Sequence, residues 1–570
     1  MFIEPEFRKD AKGFADLIDH FCLVADGVVL TTTGLYVGGF EFVGPDMDSL
    51  LPEESAQIAG RLAKMLRLGS GWTIQCDLIR GEHSEYCPEA DWPDPVSYLI
   101  ERERRNRFQT KGEAATRLSR YFLAISYEPA LHGGKGAARR LFADETRREG
   151  PGEKALALFE KRMAEIESLL QGSLCSARRL LATRQEKHGL LFDSFLQYVR
   201  YCITGEDYPF ALPETPIYLN QYLATDDFTG GAEPQLGDPL NELLPGKRIA
   251  VIAIDGFPEQ SHAGILRELD SQPFKFRYCQ QARLLDEQEA KEEHEANKSK
   301  WGFKKTPAAR KLSPIKVGEA TNIDGFAAKM EHDAREAMSA AEHGKETFAH
   351  FSAKVIVMES DAERLRHVVY EIVRVVKHVC GFSCRVETIN AVAAWLGTFP
   401  GQHKKDPRTF LINTANMAHM MPLSAPFRGL EFNPSSYFPP KTPPLLYGVT
   451  SGGTSYRLHS HVRDVGHKLL AGPIGSGKTT YLAAGIAQWF RYPDAQVFAF
   501  DKKRTLYTLC KAMGGSFYDI SPDNPETQLC PLQDLETEID RNHAAQWIEL
   551  LLVQNDLRID HATARLQSTM

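Results

Sequence analysis

One short run restricts what this chain can fold into more than any other. Gly472-Pro473-Ile474-Gly475-Ser476-Gly477-Lys478-Thr479 fits G-x-x-x-x-G-K-[ST], the phosphate-binding (Walker A) loop. Glycines at 472, 475 and 477 let the backbone take positive φ and approach an anion closely. Successive N–H groups then point inward as a nest, and the helix that follows adds its positive N-terminal end. Lys478 is placed to neutralise β- and γ-phosphate oxygens, and Thr479 offers a hydroxyl to Mg²⁺. These two are the candidate catalytic residues, and Thr480 is a candidate α-phosphate contact. The flanks agree: His467 to Leu470 reads as a short strand leading in. Thr479 to Trp489 reads as a helix leading out, with Leu482, Ile486 and Trp489 or Phe490 at helical spacing. The plainer reading is a glycine-rich turn that binds nothing. The cofactors expected are ATP and Mg²⁺.

Val497-Phe498-Ala499-Phe500-Asp501 invites a second assignment, since apolar residues followed by Asp resemble a strand that holds Mg²⁺ through a carboxylate. Lys502 stands where a catalytic Glu would often sit. The plainer expectation is that Asp501 ends a neighbouring strand and lies near the site without ligating metal. No later segment supplies an apolar run ending in Asp-Glu, and Leu557-Arg558-Ile559-Asp560 is too polar.

At 570 residues the chain is long enough for roughly three to four domains. Hydrophobic residues are 43% and charged residues 25%, which excludes a collagen, a mostly disordered chain and a disulfide miniprotein. Apolar runs such as Val28 to Leu30 and Ile249 to Ile254 are strand-sized, so a multispan transporter is excluded and no transmembrane segment is expected. A net charge of -8 gives no global pull toward nucleic acid. Ten cysteines scattered from Cys22 to Cys530 fit a reducing compartment, and Met1 to Glu6 lacks the pattern of a signal peptide. The chain reads as soluble and cytosol-facing.

The fold class expected is α/β: a mixed α/β N-terminal region followed by a partial P-loop NTPase (RecA-like) domain. Cys22 to Phe42 alternates apolar and polar residues, with turns at Asp26-Gly27 and Gly34. Pro52 opens a helix that Gly69-Ser70-Gly71 closes, and Trp72 to Ile79 returns to strand period. A loop from Glu82 to Pro95, a helix from Ser97 to Arg107 and a strand from Tyr121 to Tyr127 follow. From about Gly152 to Tyr201 the pattern is helical for many turns. Arg248 to Ile254, Lys354 to Met358 and Cys384 to Ile389 read as strands, and Ser360 and Asp361 offer an N-cap for a helix through His378. Four prolines between residues 439 and 444 forbid a helix or central strand. The expected organisation is an N-terminal α/β domain at 1–135 and a helical and α/β middle region at 136–436. A Pro-rich linker at 437–446 then leads to the opening portion of an ATPase domain at 447–570, expected to be incomplete.

Weaker signals have plain readings beside them. His459, His461 and His467, with Asp464, could suggest zinc, but strand alternation explains the spacing equally well. Cys380 and Cys384 read as two buried thiols. Lys298 to Arg310 mixes cations with Trp301 and Phe303, a candidate grip on single-stranded DNA or anionic membrane, against the plainer reading of a solvated connector. Asn416 and His419 lack catalytic partners and read as a structural strand end.

Around the loop, the text resembles the conjugative-transfer ATPases called TrbE and their CagE relatives in type IV secretion. The matching stretches are Tyr456 to His459, His461 to His467, Val497 to Lys502, Gly514 to Ile520, Cys530 to Leu535 and Trp547 to Glu549. Upstream, Asp26 to Leu30, Gly69 to Trp72, Phe108 with Tyr121 to Leu123, Asp255 to Pro258, Phe399 to Gly401 and Asn416 to His419 fit the same family. The resemblance implies ATP hydrolysis in the full-length protein and oligomers up to hexamers. It also implies other secretion-system subunits as partners, and a peripheral place at the cytoplasmic face of the inner membrane. Pilus assembly and substrate transfer would be the work energised. Family members continue with a metal-holding carboxylate, a catalytic Glu and an arginine finger, which are not read in this sequence. The alternatives are a DNA translocase or coupling protein of the FtsK/HerA type, and a scaffold that binds nucleotide without hydrolysis.

Overall fold

The computed structural model describes residues 13–65, 67–110, 112, 115–129, 151–185, 189–213, 218–238, 241, 245–258, 260–293, 295, 347–520, 524 and 530–555. The basic-aromatic stretch from Lys298 to Arg310 and the segment Leu557 to Asp560 lie outside them. The chain divides into two compact units, one of Met1–Pro88 with Arg105–His467 and one of Glu89–Arg104 with Lys468–Met570.

The first unit opens with a meander, β1 (His20–Ala25), β2 (Val28–Thr31) and β3 (Tyr36–Val43). Its turns fall where the sequence put them, with Gly27 and Gly34 at φ of 63° and 86°. Then come α1 (Pro52–Met65), β4 (Trp72–His83), α2 (Pro95–Gln109), whose residues through Arg104 group with the second unit, β5 (Thr116–Tyr127) and α3 (Pro151–Gln171). After α3 the expected long helix breaks. Three short strands intervene, β6 (Ser176–Arg179), β7 (Ala182–Arg184) and β8 (Leu191–Asp193), before α4 (Ser194–Thr204). The reason is tertiary. The backbone of β6 is taken by the ladder of β3, with Ala177 opposite Phe42, and Leu180 N–H continues it to Gly39 O at 2.9 Å. Helix α4 restarts on a proper cap, the Asp193 carboxylate accepting from Leu196 N–H at 2.8 Å.

The remaining elements are α5 (Leu219–Leu223), β9 (Phe228–Thr229), β10 (Gln235–Leu236), β11 (Lys247–Gly256), β12 (Phe276–Leu284) and β13 (Phe348–Glu359). They continue with α6 (Ala362–Arg374), β14 (Ser383–Val386), α7 (Ala391–Leu396), β15 (Phe410–Asn413) and α8 (Thr414–Met420). Asp361 caps α6 as the sequence suggested, accepting from Arg364 N–H at 2.7 Å. The region of Asn416 and His419 is helical, because Asn413 caps α8 by accepting from Asn416 N–H at 2.8 Å. Ser261 Oγ meets His419 Nδ1 at 2.8 Å and donates to Asn416 Oδ1 at 3.0 Å, closing the preceding loop on that helix.

One sheet of thirteen strands runs β1-β2-β3-β5-β4-β12-β13-β11-β10-β9, with β6 on β3, β14 on β11 and β15 on β13. Its pairings are antiparallel, so this is a mixed α/β body around a large antiparallel sheet. The β4–β12 ladder, with Asp77 opposite Cys279, joins strands from both sides of residue 135. Both faces are covered. On one face Trp72, Ile74, Cys76 and Leu78 of β4 pack in the same core as Phe159, Met163 and Ile166 of α3. On the other, Phe122 and Ala124 of β5 share a core with Phe195 and Val199 of α4 and Trp395 of α7. This alternation within single strands is period two at work.

Residues 447–467 group with this first unit. Strands β16 (Leu446–Val449) and β17 (Ser455–Leu458) form a hairpin. Arg457 Nε donates to Glu85 Oε1 at 2.7 Å, and the Tyr447 ring lies 5.1 Å from that of Tyr86.

The second unit holds most of α2 together with α9 (Lys478–Trp489), α10 (Tyr507–Ala512) and α11 (Glu538–Gln554). The strands expected at 467–470 and 497–501 are not formed; among the described residues of 468–555 no strand is paired. A strand exists only with a ladder partner, and here the apolar side chains stay in solvent: Leu469 is 95%, Phe498 85% and Phe500 98% exposed. Among the described residues, no helix is long and apolar enough to cross a membrane.

Candidate functional site

The loop at 472–480 owes its shape to its glycines. Gly475 and Gly477 have φ of 83° and 85°, a region that a side chain would disfavour by about 1–2 kcal/mol per residue. Gly477 is the N-cap of α9, and Tyr481 N–H returns to Gly477 O at 2.9 Å as an early hydrogen bond of that helix. Gly472, expected to share the positive φ, does not take it, and a Cβ there would meet Ser476 Oγ at 3.0 Å, a contact that a small shift of that hydroxyl relieves. Ser476 Oγ donates to Pro473 O at 2.8 Å and closes the turn on itself.

Lys478 follows at the first position of α9. Its ammonium donates to Gly472 O at 2.7 Å and Pro473 O at 2.6 Å, so its charge is held over the loop. Thr479 and Thr480 lie exposed in the first helical turn. The helix end presents unsatisfied N–H groups and positive potential in the same place. Glycine freedom, helix start and ammonium group thus converge on a short solvent-facing turn, which suits an anion with several oxygens.

Asp501 is engaged elsewhere. Its carboxylate accepts from Leu506 N–H at 2.7 Å, Lys503 N–H at 3.1 Å and Thr505 Oγ1 at 3.0 Å. The backbone N–H of Leu506, joined by those of Lys503 and Thr505, holds this carboxyl below the usual Asp range. Both oxygens therefore tie down the chain that follows them.

Other signals resolve locally. Asp464 accepts from Ser436 N–H at 2.7 Å, and His459 Nε2 meets Leu430 O at 2.8 Å. Cys380 and Cys384 are buried free thiols. The first unit carries a cleft of about 320 Å³ lined in part by Arg120, Arg178, Lys275, Glu206 and Asp207. Its cations are already partnered: Arg120 pairs with Glu41 and Asp207, both at 2.8 Å, Arg178 with Glu41, and Lys275 with Glu206 at 3.5 Å. Two constellations escape a reading of the sequence. One is the buried Asp77–Arg277 pair beneath α4; the other joins Glu101 to Arg491. An acid inside the apolar strand 72–79 is the sole local hint of the first.

A glycine turn at a helix start and a larger unit that is a mixed α/β body are what the chain presents for comparison with known proteins. Residues 27–135 match the model of the type IV secretion system ATPase VirB4/TrbE N-terminal domain. Residues 179–408 match the CagE, TrbE, VirB family, component of type IV transporter system. The conjugal transfer protein TrbE of Rhizobium radiobacter is 34% identical over 567 residues, 97% of this chain and 67% of that protein. In Sinorhizobium fredii the second segment of a probable conjugal transfer protein TrbE is 36% identical over 418 residues, 72% of this chain and 61% of that one. Protein virB4 of Agrobacterium fabrum is 30% identical over 176 residues, 30% of this chain and 21% of its own length. The chain belongs to the VirB4/TrbE family of type IV secretion ATPases, the family of the conjugal transfer proteins. It spans about two thirds of the Rhizobium relative and less of the Sinorhizobium one.

Proposed function

We propose that this chain is the ATP-binding motor subunit of a conjugal transfer or type IV secretion apparatus, with the nucleotide held at Gly472 to Thr480. The observation that carries the reading is the pair of left-handed glycines, 475 and 477, set directly before Lys478 at the start of α9. Loop N–H groups and the helix end bind phosphate oxygens, and Lys478 exchanges its two carbonyl partners for the β- and γ-phosphates. Thr479, a hard oxygen donor exposed in the first turn, fits Mg²⁺. When bound, that ion neutralises charge on the phosphates. In this reading the Pro-rich stretch 437–446 and the following hairpin lead into the nucleotide domain. Asp501 orders a loop near it.

Hydrolysis of the bound ATP belongs to the same reading. So do oligomers up to a hexamer, contacts with other secretion subunits, a peripheral place at the cytoplasmic face of the inner membrane, and contact with DNA or anionic lipid. Calorimetric titration of the 570-residue chain with MgATP tests the core of it. Lys478→Ala is expected to lower affinity about a hundredfold or more, the range for losing a charge-assisted contact to phosphate. Equal affinities for variant and wild type would remove the loop from consideration.

A further inference from the structure

Within the second unit, residues from far apart in sequence meet around one guanidinium. Glu101, on α2, is 3% exposed, and Arg491, just beyond α9, is 5% exposed. Arg491 Nη2 donates to Glu101 Oε2 at 2.7 Å and to Gln488 Oε1 at 2.7 Å. The guanidinium also lies 5.7 Å from the centroid of the Trp92 ring. Gln488, in the last turn of α9, is fully buried. The segment 89–104 is thereby fastened to the C-terminal end of the helix whose first turn carries Lys478 and Thr479.

The chemistry of this junction makes it sensitive to small displacements. A buried charge pair holds only while its geometry is good, because either ion alone is left desolvated. Arg491 also sits where the negative end of the helix favours a cation. Helix α9 is twelve residues long, a rod of about 18 Å at 1.5 Å per residue. A shift of its first turn is therefore carried to Gln488 and Arg491 without being absorbed between them.

We propose that the Glu101–Arg491 pair makes Pro95 to Arg104 a nucleotide-responsive element. An anion fixed at the loop holds α9, and α9 holds the pair closed. The inference rests on the loop being a nucleotide site and adds to it a regulatory partner taken from the N-terminal region of the sequence. By linkage the coupling is reciprocal, so opening the pair weakens nucleotide binding by the factor with which nucleotide favours the closed pair. Glu101 is thus a positioning residue, acting through Arg491.

Hydrogen exchange on the 570-residue chain, with and without saturating MgATP, reads this directly. In the wild type, MgATP is expected to slow exchange in 95–104 about fivefold or more, the lower end of usual coupling. In Glu101→Gln that slowing disappears, the MgATP Kd rises by a similar factor, and Glu101→Asp recovers part of both. A wild type that binds MgATP without any change in 95–104 overturns the inference and leaves the nucleotide site standing. A wild type that binds no MgATP removes both. The wild-type comparison needs no variant, so a Glu101→Gln protein that fails to fold does not prevent the decision.

Discussion

Asp77→Ala tests the interior of the first unit severely. Asp77 is wholly buried in β4. Its carboxylate accepts from Arg277 Nη1 at 2.8 Å, from Tyr198 OH at 2.9 Å and from Gln75 Nε2 at 3.1 Å. Alanine leaves the Arg277 guanidinium buried with only the backbone oxygen and hydroxyl of Thr398 as partners. Removing one member of such a pair costs about 3–5 kcal/mol. The Tyr198 hydroxyl loses its acceptor as well, whereas Gln75 keeps Thr398 O at 3.0 Å, so we place the sum near the top of that range. That is a large share of the roughly 5–15 kcal/mol of a typical domain. Paired removal of both charges, Asp77→Leu with Arg277→Met, eliminates the orphaned ion and should recover most of the loss, for a coupling of about 3 kcal/mol. Native-state hydrogen exchange of peptides from β4, β5 and β12 is the assay. The single variant should exchange about two to three and a half decades faster there. A cost under about 1 kcal/mol, or a double variant no better than the sum of the singles, would refute the reasoning.

Four further outcomes are expected. Burial pushes the imidazoles of His20 and His403 down to about 4, with the charges of Lys405 and Lys404 respectively adding to it. The unfolded chain takes up these protons near pH 6.5 while the folded one refuses them, so stability is complete above about pH 6.5. It falls by about 3 kcal/mol per histidine as pH drops toward 4. Urea midpoints from pH 7.5 to 4.5, compared with those of His20→Leu and His403→Leu, should show a shallower decline in each variant, and parallel curves would contradict it. Gly477→Ala, at a φ of 85°, should weaken MgATP binding about tenfold through backbone strain, as read by titration. Gly485→Ala, in open space within α9, should instead stabilise that helix by about 1 kcal/mol, measured by exchange of its amides. Asp501→Asn should loosen residues 501–507 while changing MgATP affinity less than about twofold, since its acceptor work is local; a lost Mg²⁺ dependence would make it a metal ligand.

Local patterns were legible where apolar and turn residues recur at fixed spacing or sterics are strict. The meander β1–β3, its glycine turns, α1 and the Asp361 cap all follow from neighbours in sequence. β12 was not legible, because every residue from Phe276 to Ala282 is buried and no alternation survives. The break after Gln171 was hidden as well: helix-forming composition at 176–179 yields to the ladder that β3 offers. At the loop, conformation followed from the glycines, whereas the strands expected at 467–470 and 497–501 required partners that local sequence cannot supply.

Sequence by itself determined the shape of the turn before α9, because positive φ at 475 and 477 is a matter of one residue's own sterics and Lys478 is covalently next in line. Tertiary structure alone decided that Asp77 meets Arg277, two hundred positions away, and that Glu101 meets Arg491. Those pairings are driven by desolvation, and desolvation exists only once distant segments have closed around a charge.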